Sequence, residues 1–186
     1  EGGDTVVIID ECIWSRPGAL SSFKDTRKIT ITANSPFIYQ IDFEITLIAL
    51  NDIIIEKTGH SLFSARVASD LAVQHGGSMI NAEGEINEKG TWSKKSAWID
   101  YYGKRGNIIE GLTIMQHPSN PWYPSPWFSR DYGFFAPGPM NWPENDKNIS
   151  IDKGKKLQFK FRVLVHAGDY NEAKIANAFR DFVNLK

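Results

Sequence analysis

The stretch FIYQIDFEITLIA, Phe37–Ala49, decides the fold class. Phe37, Tyr39, Ile41, Phe43, Ile45, Leu47 and Ala49 alternate with Gln40, Asp42, Glu44 and Thr46, so an extended chain carries the apolar set on one side. That pattern predicts a half-buried antiparallel strand, dry on one face and largely wet on the other. The same alternation returns at Leu157, Phe159, Phe161, Val163 and Val165, opposed by Gln158, Lys160, Arg162 and His166. Two long strands near opposite ends of the chain predict a large sheet.

Thr5–Trp14, Lys28–Ala33, Leu62–Ala68, Ser96–Tyr102, Ile108–Gln116 and Ser129–Phe135 read as further strands, punctuated by Gly, Asn and Pro. One helix is predicted, at the end. Asp169 and Glu172 have capping-box spacing, and Ile175, Phe179, Phe182 and Val183 form one apolar stripe behind them. Many strands with hardly any helix between them give an all-β, antiparallel β-sandwich closed by one C-terminal α-helix. With 186 residues, one domain over 1–186 is expected.

Lys and Arg total 21 against 22 Asp and Glu, with no long block of like charge, which argues against a nucleic-acid binder. The apolar runs Ile45–Leu50 and Ile53–Ile55 are broken by Asn51 and Asp52 and fall short of the ~20 residues of a bilayer helix. Cys12 is the single cysteine, read as a small buried strand residue, so no disulfide framework is possible within the chain. His60, His75, His117 and His166 are scattered without metal-ligand spacing, so no metal and no cofactor is expected from this chain alone. Glu1 follows no initiator Met or signal-like segment, which reads as a processed or excised chain. A periplasmic or secreted setting is expected ahead of the cytoplasm.

The unusual segment is HPSNPWYPSPWFSRDYGFFAPGPMNW, His117–Trp142, with six prolines and three tryptophans. Proline fixes φ and withholds a donor, so its first half reads as a stiff loop forming one wall of a pocket. Flat rings with a polar tip suit stacking on a sugar, with the donor meeting a hydroxyl. The ligand-contact candidates are Arg66, Trp98, Asn120, Trp122, Trp127 and Tyr132. The catalytic candidates are His117, as a proton carrier, with Arg130 and Asp131, which would face opposite ways on an extended strand. The bland alternative is that the rings fill core and the charged groups pair structurally.

SLFSARVA at 61–68, GTWSKKSAWIDYYG at 90–103, HPSNPWYPSPWFSRDYG at 117–133 and FRVLVHAGD at 161–169 resemble the bacterial PmoA family. That family's name implies a membrane copper monooxygenase subunit, an activity not expected here without apolar spans or clustered histidines. The resemblance covers nearly the whole chain and implies the C-terminal part of a longer protein, whose preceding segment carries a His-rich motif. An upstream half or second chain would then complete any site. It is also similar to the galactose-mutarotase-like supersandwich, which implies a small carbohydrate ligand and epimerase- or lyase-like acid–base chemistry on a sugar ring. The alternative is a non-catalytic sugar-binding or assembly module.

Overall fold

The two alternating stretches lie side by side at the centre of the molecule. The computed structural model describes residues 4–59, 61–142 and 148–184. In chain order it contains β1 (Thr5–Ile13), β2 (Phe23–Ser35), β3 (Ile38–Ala49), β4 (Ile53–Ile55), β5 (Ala65–Arg66), β6 (Ser78–Asn81), α1 (Asn87–Thr91), β7 (Trp98–Arg105), β8 (Ile108–Gln116), β9 (Trp127–Ser129), β10 (Phe134–Pro137), β11 (Ile149–Ile151), β12 (Lys156–Ala167) and α2 (Ile175–Val183). Strands β3 and β12 pair antiparallel from Ile48 opposite Lys156 to Ile38 opposite His166. They sit inside a seven-stranded sheet of order β1-β2-β3-β12-β8-β7-β6, accompanied by a three-stranded sheet β5-β10-β9 and the pair β11-β4.

Period-2 alternation gives the large sheet two different faces. On one, Phe159, Phe161, Val163, Ile114, Ile99, Tyr101 and Leu47 are buried with Trp127 and Phe135 of the small sheet, forming the main core between the two layers. On the other, Leu164, Met115, Trp98 and Ile80 are covered by α2 through Ile175 and Phe182. The fold is therefore all-β and sandwich-like, with one C-terminal helix closing the outer face.

The polar side of β12 is not the wet face that its residue types suggest. Arg162 and His166 are both buried there. Arg162 donates to both carboxylate oxygens of Asp42, at 2.7 and 2.9 Å, and its guanidinium lies 4.8 Å from the Phe182 ring of α2. A buried cation persists only when paired, and this one also ties the helix to the sheet. The capping box forms as predicted, with the Asp169 N–H donating to Glu172 Oε2 and the Glu172 N–H to Asp169 Oδ1. Lys174 then adopts a left-handed conformation, φ 54°, so the regular helix begins only at Ile175.

Two of the expected strands take a different form. Leu62–Ala68 supplies only the two-residue β5. Ser129–Phe135 is not one strand but a hairpin, β9 to β10, turning at Arg130–Gly133 with the Gly133 N–H bonded to the Arg130 carbonyl. Gly133 has φ +101°, and a Cβ there would meet Val67 Cγ2 at 3.0 Å, so the turn needs glycine. Cys12 is also not buried; it is half-exposed on β1, a strand whose Val6, Ile8 and Ile9 stay open to solvent.

Candidate functional site

The small sheet sorts the candidate residues by parity. Its register places Trp127, Ser129 and Phe135 on the inner face and Phe128, Phe134 and Arg66 on the outer one. Trp127 is accordingly 0% exposed, and its indole N–H donates to the Ser96 carbonyl at 2.9 Å. It presents no ring face to a ligand, contrary to the expectation from the proline-rich loop. Trp98 is likewise core, under α2. Asn120 spends its amide on the β12 backbone, donating to the Lys160 carbonyl at 2.8 Å and accepting its N–H at 2.6 Å. Trp122 is half-buried beside Phe159 and, with Asn120, lines a cavity of about 10 Å³, room for a single water and not for a sugar.

His117 lies apart from Arg130 and Asp131. Its Nδ1 is 2.7 Å from Ser119 Oγ, and its ring meets Phe182 of α2 edge-on, so it belongs to the helix-covered side of the large sheet. Burial and the nearby Lys160 charge hold its pKa below the ordinary value. No carboxylate is hydrogen-bonded to it among the described residues. His60 falls outside the described residues, and among those described no three His, Cys, Asp or Glu residues cluster as metal ligands.

The structure does gather Arg66, Arg130, Asp131 and Tyr132 on the outer surface of the small sheet. The Arg130 guanidinium sits 5.0 Å from the Trp92 ring and 5.8 Å from those of Phe128 and Tyr132, with Glu88 3.3 Å from its Nε. Asp131 and Glu88 bond each other's backbone N–H groups, at 2.8 and 3.0 Å. The adjacent Arg130 and Asp131 therefore share Glu88, because they stand at a turn and not on an extended strand. Beneath them, the buried Tyr101 hydroxyl accepts the Val73 N–H and lies within 3.2 Å of the Arg130 and Asp131 carbonyls. Burial above all raises the phenol's pKa. Replacing Tyr101 by Phe should destabilise the chain by about 1–3 kcal/mol, because buried backbone groups lose their partner. Urea denaturation checks this; an unchanged midpoint would mean the hydroxyl does not fix the turn.

Arg66 faces two ways. Its guanidinium lies 5.1 Å from the Tyr132 ring and 5.8 Å from Phe134, and it also borders an open groove of about 640 Å³. The floor of that groove is a single row across three strands, since Val165 of β12 stands opposite both Tyr39 of β3 and Leu112 of β8. This row emerges where the small sheet stops covering the large one, leaving Tyr39 47% exposed. Arg105 and Glu110, from the β7–β8 hairpin, form the far side. Arg105 is neutralised: it binds both oxygens of Asp70, at 2.8 and 3.0 Å, and lies 3.6 Å from Glu110. No local pattern signals this groove. Tyr39 read only as one more apolar residue, and Arg105 and Glu110 come together through a hairpin bend.

Fold and site together define an all-β, sandwich-like protein with a polar-rimmed groove at the open end of its sheets. The chain belongs to the family of unknown function DUF6807, whose profile matches residues 1–180. No curated protein matches it.

Proposed function

We propose that this chain binds a small carbohydrate in the groove floored by Tyr39, Val165 and Leu112. The observation that carries the reading is the groove itself. At about 640 Å³ it has the size of a small-molecule site, with an apolar floor, an exposed phenol ring and a few fixed polar groups at its rim. A ring face suits the C–H surface of a sugar, and Glu110 and Arg105 can meet hydroxyls. The resemblance to PmoA-family proteins and to mutarotase-like supersandwiches supports the same ligand class. Binding is favoured over acid–base catalysis because His117, the candidate proton carrier, lies under α2 with Ser119 and Phe182.

Titration calorimetry with glucose, galactose and their uronic acids tests the proposal. Saturable binding is expected, and Tyr39→Ala should weaken it by about 1–3 kcal/mol with little change in melting temperature, since the ring is half exposed. Absence of binding across the panel, or an affinity unmoved by Tyr39→Ala, would overturn it.

A further inference from the structure

Resting on that reading of the groove, we infer that its ligand carries an oxyanion, a carboxylate or a phosphate, gripped by Arg66. The cations around the small sheet and groove are not equivalent. Arg105 is held by Asp70 through two hydrogen bonds, and Arg130 is covered by Glu88. Arg66 has no carboxylate partner and no hydrogen bond among the described residues. Its guanidinium lies instead over the rings of Tyr132 and Phe134, at 5.1 and 5.8 Å.

A cation over aromatic rings keeps its full charge, and the five N–H donors of this guanidinium meet no protein acceptor among the described residues. A planar fork of this kind matches a carboxylate or phosphate through two parallel bonds. Arg66 stands on β5, the edge strand of the small sheet, which forms the wall of the groove. Arg105 has its donors taken up by Asp70 and Glu110, so of the two arginines lining the groove Arg66 is the one whose donors meet no protein acceptor among the described residues. A sugar lying on the Tyr39 row would then direct its acid group to the β5 side.

Calorimetry with glucose, glucuronate and glucose 6-phosphate, and with galactose and galacturonate, tests this on the intact chain. The acidic member of a pair should bind roughly tenfold or more tightly than its neutral parent. Arg66→Gln should erase that difference, bringing the acid's affinity to that of its neutral parent measured on the same variant. Glucuronate against glucose 6-phosphate tells which oxyanion is preferred. In the unaltered protein the acid's affinity should also fall as salt rises from roughly 50 to 500 mM, with the neutral sugar nearly unaffected. This readout stands even if Arg66→Gln fails to fold. Equal affinity for acidic and neutral sugars overturns the inference and leaves the carbohydrate reading intact. A preference that survives Arg66→Gln also overturns it, by placing the anion on another cation. Failure of every sugar to bind overturns both.

Discussion

Replacing Trp127 by Ala should destabilise the fold by about 3–5 kcal/mol, read as a fall in urea midpoint and melting temperature. The indole is 0% exposed and stacks at 6.3 Å on Phe135, between the small sheet and the large one. Truncation removes its transfer free energy and leaves a void that β9 cannot close, because the Trp127 backbone is pinned on both sides. Its N–H donates to the Lys94 carbonyl, and its own carbonyl accepts the Ser93 N–H. Trp127→Phe should cost less, since most of the volume stays and the Ser96 carbonyl keeps the Gln116 amide as a donor at 3.0 Å. Sugar affinity of whatever Trp127→Ala protein remains folded should be unchanged. A large loss of affinity with an unchanged melting temperature would return Trp127 to the ligand.

Trp127 also shows where sequence reading stops. The alternation in Phe37–Ala49 and Leu157–Val165 is a statement about two faces, and a face is a local property, so both strands and the antiparallel character of their sheet were legible, while their pairing with each other was not. Ile108–Gln116 was legible to the residue for a different reason, the Gly106-Asn107 turn before it and Pro118 after it. The hairpin at Arg130–Gly133 was missed although its Asp-Tyr-Gly sequence is a turn signal, because the flanking aromatics made a continuous strand look plausible. Which face of a three-residue strand such as β9 turns inward depends on what lies opposite, and the sequence does not say. Arg66, Arg130, Asp131 and Tyr132 were singled out by residue type, but their gathering on one surface was not foreseen, because Arg130 and Asp131 were expected to face opposite ways on a strand that is in fact a turn. Tyr39, Arg105 and Glu110 were not singled out, since the groove exists only because the small sheet ends before the large one does. Arg162 and His166 occupy polar positions of an amphipathic strand and are buried all the same, their desolvation offset by Asp42 and Asp100.

The second large effect is expected at His166 and Asp100. Nε2 lies 2.9 Å from Asp100 Oδ1 and Nδ1 lies 3.2 Å from the Gly168 carbonyl, so both ring nitrogens face acceptors, an arrangement that favours the imidazolium form. Asp100 also accepts the Thr113 hydroxyl at 2.7 Å, and Gly111 makes room for the ring, since a Cβ there would run into His166 Cε1. Burial, the largest single influence, pushes the imidazole pKa down. The hydrogen bond and charge of Asp100, with the carbonyls of Ala167 and Gly168, outweigh it, and the net shift is upward.

A pKa raised in the folded state means that the folded chain holds this proton more tightly than the unfolded one. The stabilisation is therefore complete below the unfolded value of about 6.5 and is lost as pH climbs through the folded value. His117, whose pKa is lowered, acts in the opposite sense and only below about 6.5, so it does not mask the loss. Melting temperature should accordingly decline from pH ~6.5 toward 9, and His166→Asn should flatten that decline. Asp100→Ala should cost about 3–5 kcal/mol near pH 6, where it strands a buried cation, and less near pH 9, where the ring can shed its proton. A cost for Asp100→Ala that is the same at both pH values would show that the pair is a neutral hydrogen bond and not an ion pair.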